Sequence, residues 1–379
     1  MRNWFLTALV SLITAISLYL YQSQSWRFLA RAATYPKNPI TDVAWYKTRA
    51  TVNGNKFVSL TSSITPVISK QIFSKAADYV HQTHNSQLVV LHKGLLVHES
   101  YGNNISSDDL SNSMSMAKTI VSLLVGIAVS EGQLDSIDDP VSKYLPAWKD
   151  NTERARISLR NLLEMSSGLR CDKDTTDYTS DLIQLHLGTN IRNLTIDLPS
   201  KEPPGTKWEY NNFNTQTLAW VLEKVTNLPL NEYASRKLWQ QIGAKEAFFW
   251  ADKSNGTVRG YCCFFARARD FAKLGQLVLN RGKWNGKTIV PEQWIKEISS
   301  ASTHEPEYGL HIWRASRSGT RRAKDRSEEF IDEKLVYFDG KHRQRIYISP
   351  KHDLVIVRTG EHPKTWDDSL LPNLIASEL

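Results

Sequence analysis

Strand-like sequence in this chain lies to either side of a helical middle, and that placement constrains the fold more than any other feature. Gln87-Leu88-Val89-Val90-Leu91-His92-Lys93-Gly94-Leu95-Leu96-Val97-His98-Glu99-Ser100-Tyr101-Gly102 reads as two strands turned at Lys93-Gly94. Toward the far end, Tyr308 to Arg314, Leu335 to Gly340, Gln344 to Ser349 and Leu354 to Thr359 read as strands, before a last helix near Asp368. Between them run helical patterns: about Asn214 to Thr226, roughly Leu230 to Ile242, Ala268 to Asn280 and Pro291 to Ser299. Strand backbones need partners, so the early hairpin and the late strands are expected to pair. The fold class this implies is α+β: an antiparallel β-sheet flanked by helices, with an inserted mostly helical region, rather than βαβ alternation.

A second constraint is chemical. Ser113-Met114-Ser115-Met116-Ala117-Lys118 opens an apolar helical run that carries Ile120, Leu123, Leu124 and Ile127 on its apolar side and stops at Glu131-Gly132. Ser115 and Lys118 are three positions apart, on one helix face, with the ammonium in reach of the hydroxyl. A lysine accepts that proton when burial and nearby positive charge lower its pKa. The helix N-terminus favours the negative charge that develops on an attacked carbonyl oxygen. Ser115 is therefore the candidate nucleophile, although S-x-x-K also arises by chance and its bland reading is the capped first turn of a buried helix.

Around this run, Asp139-Pro140 begins a short helix with aspartate at the cap, and Ser158 caps Leu159 to Met165. Cys171 to Pro204 reads as loops and short helices covering something, and Pro203-Pro204-Gly205 as a rigid turn into Tyr210-Asn211-Asn212. The charged stretch Ala315 to Lys334 reads as an insertion in a hairpin.

The formal charge of +8 comes without zinc spacing, an RNA-binding motif or a long basic helix, so no nucleic-acid partner is expected. Cys171, Cys262 and Cys263 make no disulfide framework; one bridge from Cys171 to either of the others is open, and the adjacent pair reads as a buried small-residue patch. With no H-E-x-x-H and no paired C-x-x-C, neither a metal nor another cofactor is expected.

Trp4 to Tyr21 is an apolar run of roughly the 17–25 residues that span a bilayer. Its length favours an uncleaved anchor over a signal peptide cleaved near Ala15-Ile16-Ser17. Arg27, Arg31 and Lys37 outnumber Arg2 and argue for the opposite topology, but long domains translocate largely regardless of such charges. The expectation is an exported chain held by its N-terminal helix in the inner (cytoplasmic) membrane, with the domain in the periplasm or outside, or secreted if the segment is cleaved.

Ser115-Met116-Ala117-Lys118, Tyr210-Asn211-Asn212 and Phe338-Asp339-Gly340-Lys341, in that order, resemble the three motifs of the serine β-lactamase and penicillin-binding-protein superfamily. Asp138 to Pro146, Leu162 to Leu169 and Ala268 to Gln276 make the chain look most like its class C-related branch, with 6-aminohexanoate-dimer hydrolase and related esterases and D-amino-acid peptidases. The resemblance covers roughly residues 85 to 360. It implies a Ser115 acyl-enzyme, Lys118 lowering the barrier to deprotonation of Ser115, and Tyr210 as the phenolate or hydrogen-bonded relay that takes the proton and returns it to the leaving group. It also implies Asn212 as a ligand to the lysine or the substrate carbonyl, and an oxyanion hole of the Ser115 N–H and a strand N–H. For that strand N–H, Gly340 with Lys341 is preferred to Lys341-His342-Arg343 with Gln344, because glycine allows close approach. Phe338 and Asp339 stand where the usual Lys-Thr-Gly motif has lysine and threonine, which weakens the case for recognising a β-lactam carboxylate.

The expected substrate is accordingly a small amide, peptide or ester; a D-peptidase or β-lactamase of the same fold and an inactive binding relative are the alternatives. The expected division is 1–25 as anchor or signal segment, 26–84 as linker and extension, and 85–379 as the hydrolase domain. Trp208, Trp313 and Tyr337 are candidates for either pocket or core. His311, His342 and His362 lack an acidic partner at telling spacing, so no Ser-His-Asp triad is expected.

Overall fold

The early hairpin and the late strands meet across most of the length of the chain. The computed structural model describes residues 24–55, 58–63, 67–316 and 325–379, with Trp4, Val10 and Ser11 ahead of them. The apolar run Trp4 to Tyr21 thus lies almost wholly outside the described residues, as does the centre of the expected insertion. Among the described residues no helix is long and apolar enough to cross a membrane.

Numbered along the chain, the strands are β1 (Arg49–Val52), β2 (Ser86–His92), β3 (Leu95–Tyr101), β4 (Ser111–Asn112), β5 (Ala247–Trp250), β6 (Phe264–Ala266), β7 (Lys283–Trp284), β8 (Lys287–Thr288), β9 (Trp313–Arg314), β10 (Val336–Gly340), β11 (Gln344–Ser349) and β12 (Leu354–Gly360). The main sheet is antiparallel in the order β3-β2-β12-β11-β10-β9. Register runs from Leu354 opposite His92 to Gly360 opposite Ser86, so the early hairpin and the late strands share one sheet, as expected.

Both faces of the sheet are covered. Every residue of β2 is buried, which produces a continuous apolar run instead of strict alternation. Val89 and Leu91 pack into the core around the central helix, whereas Leu88 and Val90 face helices Lys70–Val80 and Leu370–Ala376. Helix Ala268–Leu279 lies on the inner face, and Gly275 makes room for Val355: a Cβ there would stand 2.6 Å from Val355 Cγ1.

The central helix, Ala117–Ser130, is buried on every side from Ala117 to Ala128, not only along the expected apolar stripe. Its polar members are satisfied locally: Thr119 Oγ1 donates to His311 O at 2.6 Å and Ser122 Oγ to Leu310 O at 2.7 Å. Those two carbonyls explain why the strand expected over Tyr308 to Arg314 shrinks to Trp313–Arg314. The segment turns at His311, with φ 62, and spends its backbone acceptors on the helix rather than on a ladder.

Other boundaries shift for similar local reasons. Pro140, not Asp139, occupies the cap of Val141–Tyr144, and Asp139 accepts from Tyr144 Oη and Lys143 Nζ instead. The helix from Leu230 is α-helical to Ala234 and then widens to a π-turn over Ser235–Trp239. A second sheet, β1-β5-β6-β4, was not expected, because its strands are too short to give a period. Residues 26–84, expected as linker and extension, contain β1, helix Lys70–Val80 and most of helix Gln24–Ala33.

Candidate active site

The turn that carries the candidate nucleophile, Ser115, is built by the second sheet. Asn112, at the end of β4, pairs with Phe265 of β6, and its Oδ1 accepts the N–H of Met114 at 3.0 Å. Met114 sits at φ 47, a left-handed conformation that costs a non-glycine residue about 1–3 kcal/mol. That bend starts the tight turn Met114–Met116 and leaves Ser115 half-buried at the mouth of the central helix. Ser115 therefore lies in a 3₁₀ turn ahead of the α-helix, where side chains three apart eclipse one another, and this sets Lys118 directly over it.

Lys118 Nζ lies 2.9 Å from Ser115 Oγ and 2.9 Å from Tyr261 O. The lysine is 1 % exposed, and burial brings its pKa down to about 7, against the opposing pull of Asp339 and Cys171. Its ammonium nitrogen is 4.9 Å from the centre of the Tyr210 ring and 5.4 Å from that of Tyr261. Tyr210 is held from behind by aromatic rings, stacked on Trp313 and edge-on to Tyr308. Serine, lysine and tyrosine are thus one cluster, although 95 residues separate Ser115 from Tyr210 in the sequence.

Asn211, not Asn212, caps helix Asn212–Thr226, accepting the N–H of Phe213 at 2.9 Å. Asn212 is thereby free to face the cavity, where its buried Oδ1 has no hydrogen-bond partner among the described residues. Gly340 ends β10 against the nucleophile turn. A Cβ on it would stand 2.3 Å from Ser113 O, so only glycine fits. Lys341 follows, exposed, and lines the same cavity. The cavity, about 920 Å³, brings together Ser115, Tyr210, Asn212, Gly340 and Lys341.

Trp208 and Trp313 line this space, whereas Tyr337 is buried behind them beside Phe330 and Tyr347. His311 is enclosed, its Nε2 2.9 Å from Thr215 Oγ1, and burial beside Lys118 lowers its pKa to about 3. It has no carboxylate partner to make a triad among the hydrogen bonds and ion pairs of the described residues.

Several residues at the site gave no signal in the sequence. Tyr261 acts through its carbonyl, which every residue possesses. Arg345, buried on β11, is ion-paired with Asp339 on the neighbouring strand and with Asp368, at 2.8 Å, and so holds the Asp339 side chain at the position where threonine was missing. The cysteines correct the expectation: Cys262 is bonded to Cys263, and Cys171 is a free thiol. Among the described residues, His186 and these two sulfurs are the one His, Cys, Asp or Glu grouping near enough to share an ion, all within 4.8 Å, but the sulfurs are bonded to each other.

Comparisons with known proteins identify the family and the fold. A profile described as Beta-lactamase matches residues 73–377. The 6-aminohexanoate-dimer hydrolase of Paenarthrobacter ureafaciens is 26% identical over 303 residues, 75% of this chain and 74% of the relative. A Bacillus anthracis structure provisionally named as a 6-aminohexanoate-dimer hydrolase superposes with a TM-score of 0.71 at 21% identity, covering 89% of this chain and 91% of the other. A class C beta-lactamase superposes with a TM-score of 0.63 at 14% identity, covering 84% and 99%.

Proposed function

Because this chain belongs to the Beta-lactamase family of serine hydrolases, we propose that it cleaves a small amide, peptide or ester through an acyl-enzyme on Ser115. The observation that carries this reading is the 2.9 Å approach of a buried Lys118 Nζ, with a pKa near 7, to Ser115 Oγ. Ser115 Oγ attacks the substrate carbonyl carbon while its proton passes to the neutral amine of Lys118. The oxyanion is taken by the N–H groups of Ser115 and Lys341, the first free because the opening turn of a helix has no internal acceptor for it. Tyr210 gives its phenolic proton to the leaving amine or alkoxide and takes back the one held by Lys118, and water then attacks the acyl ester, with the same groups acting in reverse. Asn212 positions the substrate through its side-chain amide.

Asp339 favours an amide or ester over a β-lactam. It presents an anion, paired with Arg345, where a substrate carboxylate would otherwise be received. The relationship to 6-aminohexanoate-dimer hydrolase supports an amide. The bridge between Cys262 and Cys263 supports export to an oxidising compartment, with the apolar N-terminal run as anchor.

The test is labelling with a fluorophosphonate probe, with the adduct located by mass spectrometry. Ser115 is the expected site, and a folded protein that stays unlabelled there would sink the proposal. Nitrocefin turnover above that of Ser115→Ala protein would instead favour the β-lactamase branch.

A further inference from the structure

The Cys262–Cys263 disulfide lies between the two residues that hold the acylation centre in place. On one side, Tyr261 O accepts Lys118 Nζ at 2.9 Å. On the other, Phe264 is clasped to Ser113: Ser113 N–H donates to Phe264 O at 2.8 Å, and Phe264 N–H to Ser113 Oγ at 3.2 Å. Cys263 itself stands at φ 63, unfavourable for a residue with a side chain. A ring closed through two neighbouring side chains restricts the backbone between them, so the bridge holds Cys263 there. The two cysteines differ in position: Cys262, 4 % exposed, lines the candidate active-site cavity, while Cys263 is fully enclosed.

We propose that this disulfide is a thiol-reactive modification site which sets the rate of acylation: a small thiol entering the cavity opens it and slows Ser115. The proposal rests on the acyl-enzyme reading above. A thiolate attacks Cys262 Sγ, forming a mixed disulfide and releasing Cys263 as thiolate, which takes up a proton. A second thiolate attacks the external sulfur of that mixed disulfide, releasing the oxidised external disulfide and Cys262 as a thiol after protonation. In sum, one protein disulfide and two small thiols become two cysteine thiols and one external disulfide.

Once opened, the 262–263 backbone relaxes from positive φ, and the Tyr261 carbonyl and Phe264 N–H move with it. Both are direct supports of Lys118 and Ser113. Burial pushes the Cys171 thiol up to about 11, which makes it a poorer attacking group than a small thiol from solution. The opened sulfurs, with His186, form a cluster that a thiophilic probe recognises.

The experiment uses the full chain, treated with dithiothreitol without denaturant, freed of it, and then reoxidised with diamide. Intact mass, capture by phenylarsine oxide and the rate of fluorophosphonate labelling at Ser115 are followed at each stage. The expected result is a gain of two hydrogens, new capture, and labelling slowed roughly tenfold to a hundredfold, as for a small displacement of a catalytic group, all reversed by diamide. The double variant Cys262→Ser, Cys263→Ser labels at the slow rate and ignores dithiothreitol, while Cys171→Ser keeps the response. Should the double variant fail to fold, the reduction and reoxidation cycle on the native chain decides. A reduced form that labels at the native rate overturns this proposal alone, as does a native protein whose three cysteines are all free. Absence of labelling in both states overturns the acyl-enzyme reading and this proposal with it.

Discussion

In the proposed mechanism Lys118 can serve as a base because it has been taken out of water. Burial lowers its pKa from 10.5 to about 7, so near neutrality a sizeable fraction is the free amine. Acylation, read as kcat/KM, should therefore rise with pH through about 7 as Lys118 loses its proton. Asp339 opposes the shift by favouring the ammonium, so Asp339→Asn should move this limb to lower pH; a limb that stays in place would separate Asp339 from Lys118. The same sign governs stability. Between about 7 and 10.5 the unfolded chain holds a proton on this lysine that the folded chain lacks, so its contribution to stability rises with pH in that window. At the residue scale the sequence offered Ser115 and Lys118 by their spacing, and Tyr210 only through the family resemblance. Tyr261 and the Cys262–Cys263 bridge were not legible as parts of the site: one works through a main-chain atom, and the other depends on backbone conformation.

Helix and strand meet at Gly340. Its Cα packs on Ser113 O, which fixes the distance between β10 and the nucleophile turn. Gly340→Ala must move one of them or the Gln344 side chain, whose Cβ would stand 2.8 Å away. The expected cost is about 1–3 kcal/mol of stability, seen as a lower denaturation midpoint, with kcat falling more than KM rises, since the oxyanion N–H shifts away. Unchanged kcat would show that this strand does not supply that N–H. Elements with a clear period were placed by the sequence to within a few residues: β11 matches throughout, and Ala268–Leu279 differs from the expected helix at one end. Short elements were not. β4, β6 and β9 span only two or three residues, so their pairing is set by distant neighbours rather than by any pattern of their own.

Over the whole molecule, the helix Gln24–Ala33 brings residues far from Ser115 in sequence to the candidate active-site cavity. Arg31 donates to Leu187 O and Gly188 O, both at 2.9 Å, and to Asp252 O at 2.7 Å, while Ala32 and Tyr35 line the cavity wall. Removing such charge-assisted bonds typically costs about 1.5–3 kcal/mol. Arg31→Ala should therefore lower Tm and raise KM with kcat nearly unchanged, because the wall moves and the Ser115–Lys118 pair does not. An equal loss in kcat would place this helix closer to the chemistry. By itself the sequence determined the α+β class and the pairing of early and late strands, which follow from periodicity and backbone pairing; it offered Ser115 and Lys118 as candidates by functional-group type and spacing, and Tyr210 only through the family resemblance. Only the tertiary structure decided the pKa of Lys118, the caging of Ser115 by β6 and β10, the partner of each cysteine and the wall contributed by residues 24–35. Each of these depends on burial or on contact between segments far apart in the chain, and no local pattern encodes either.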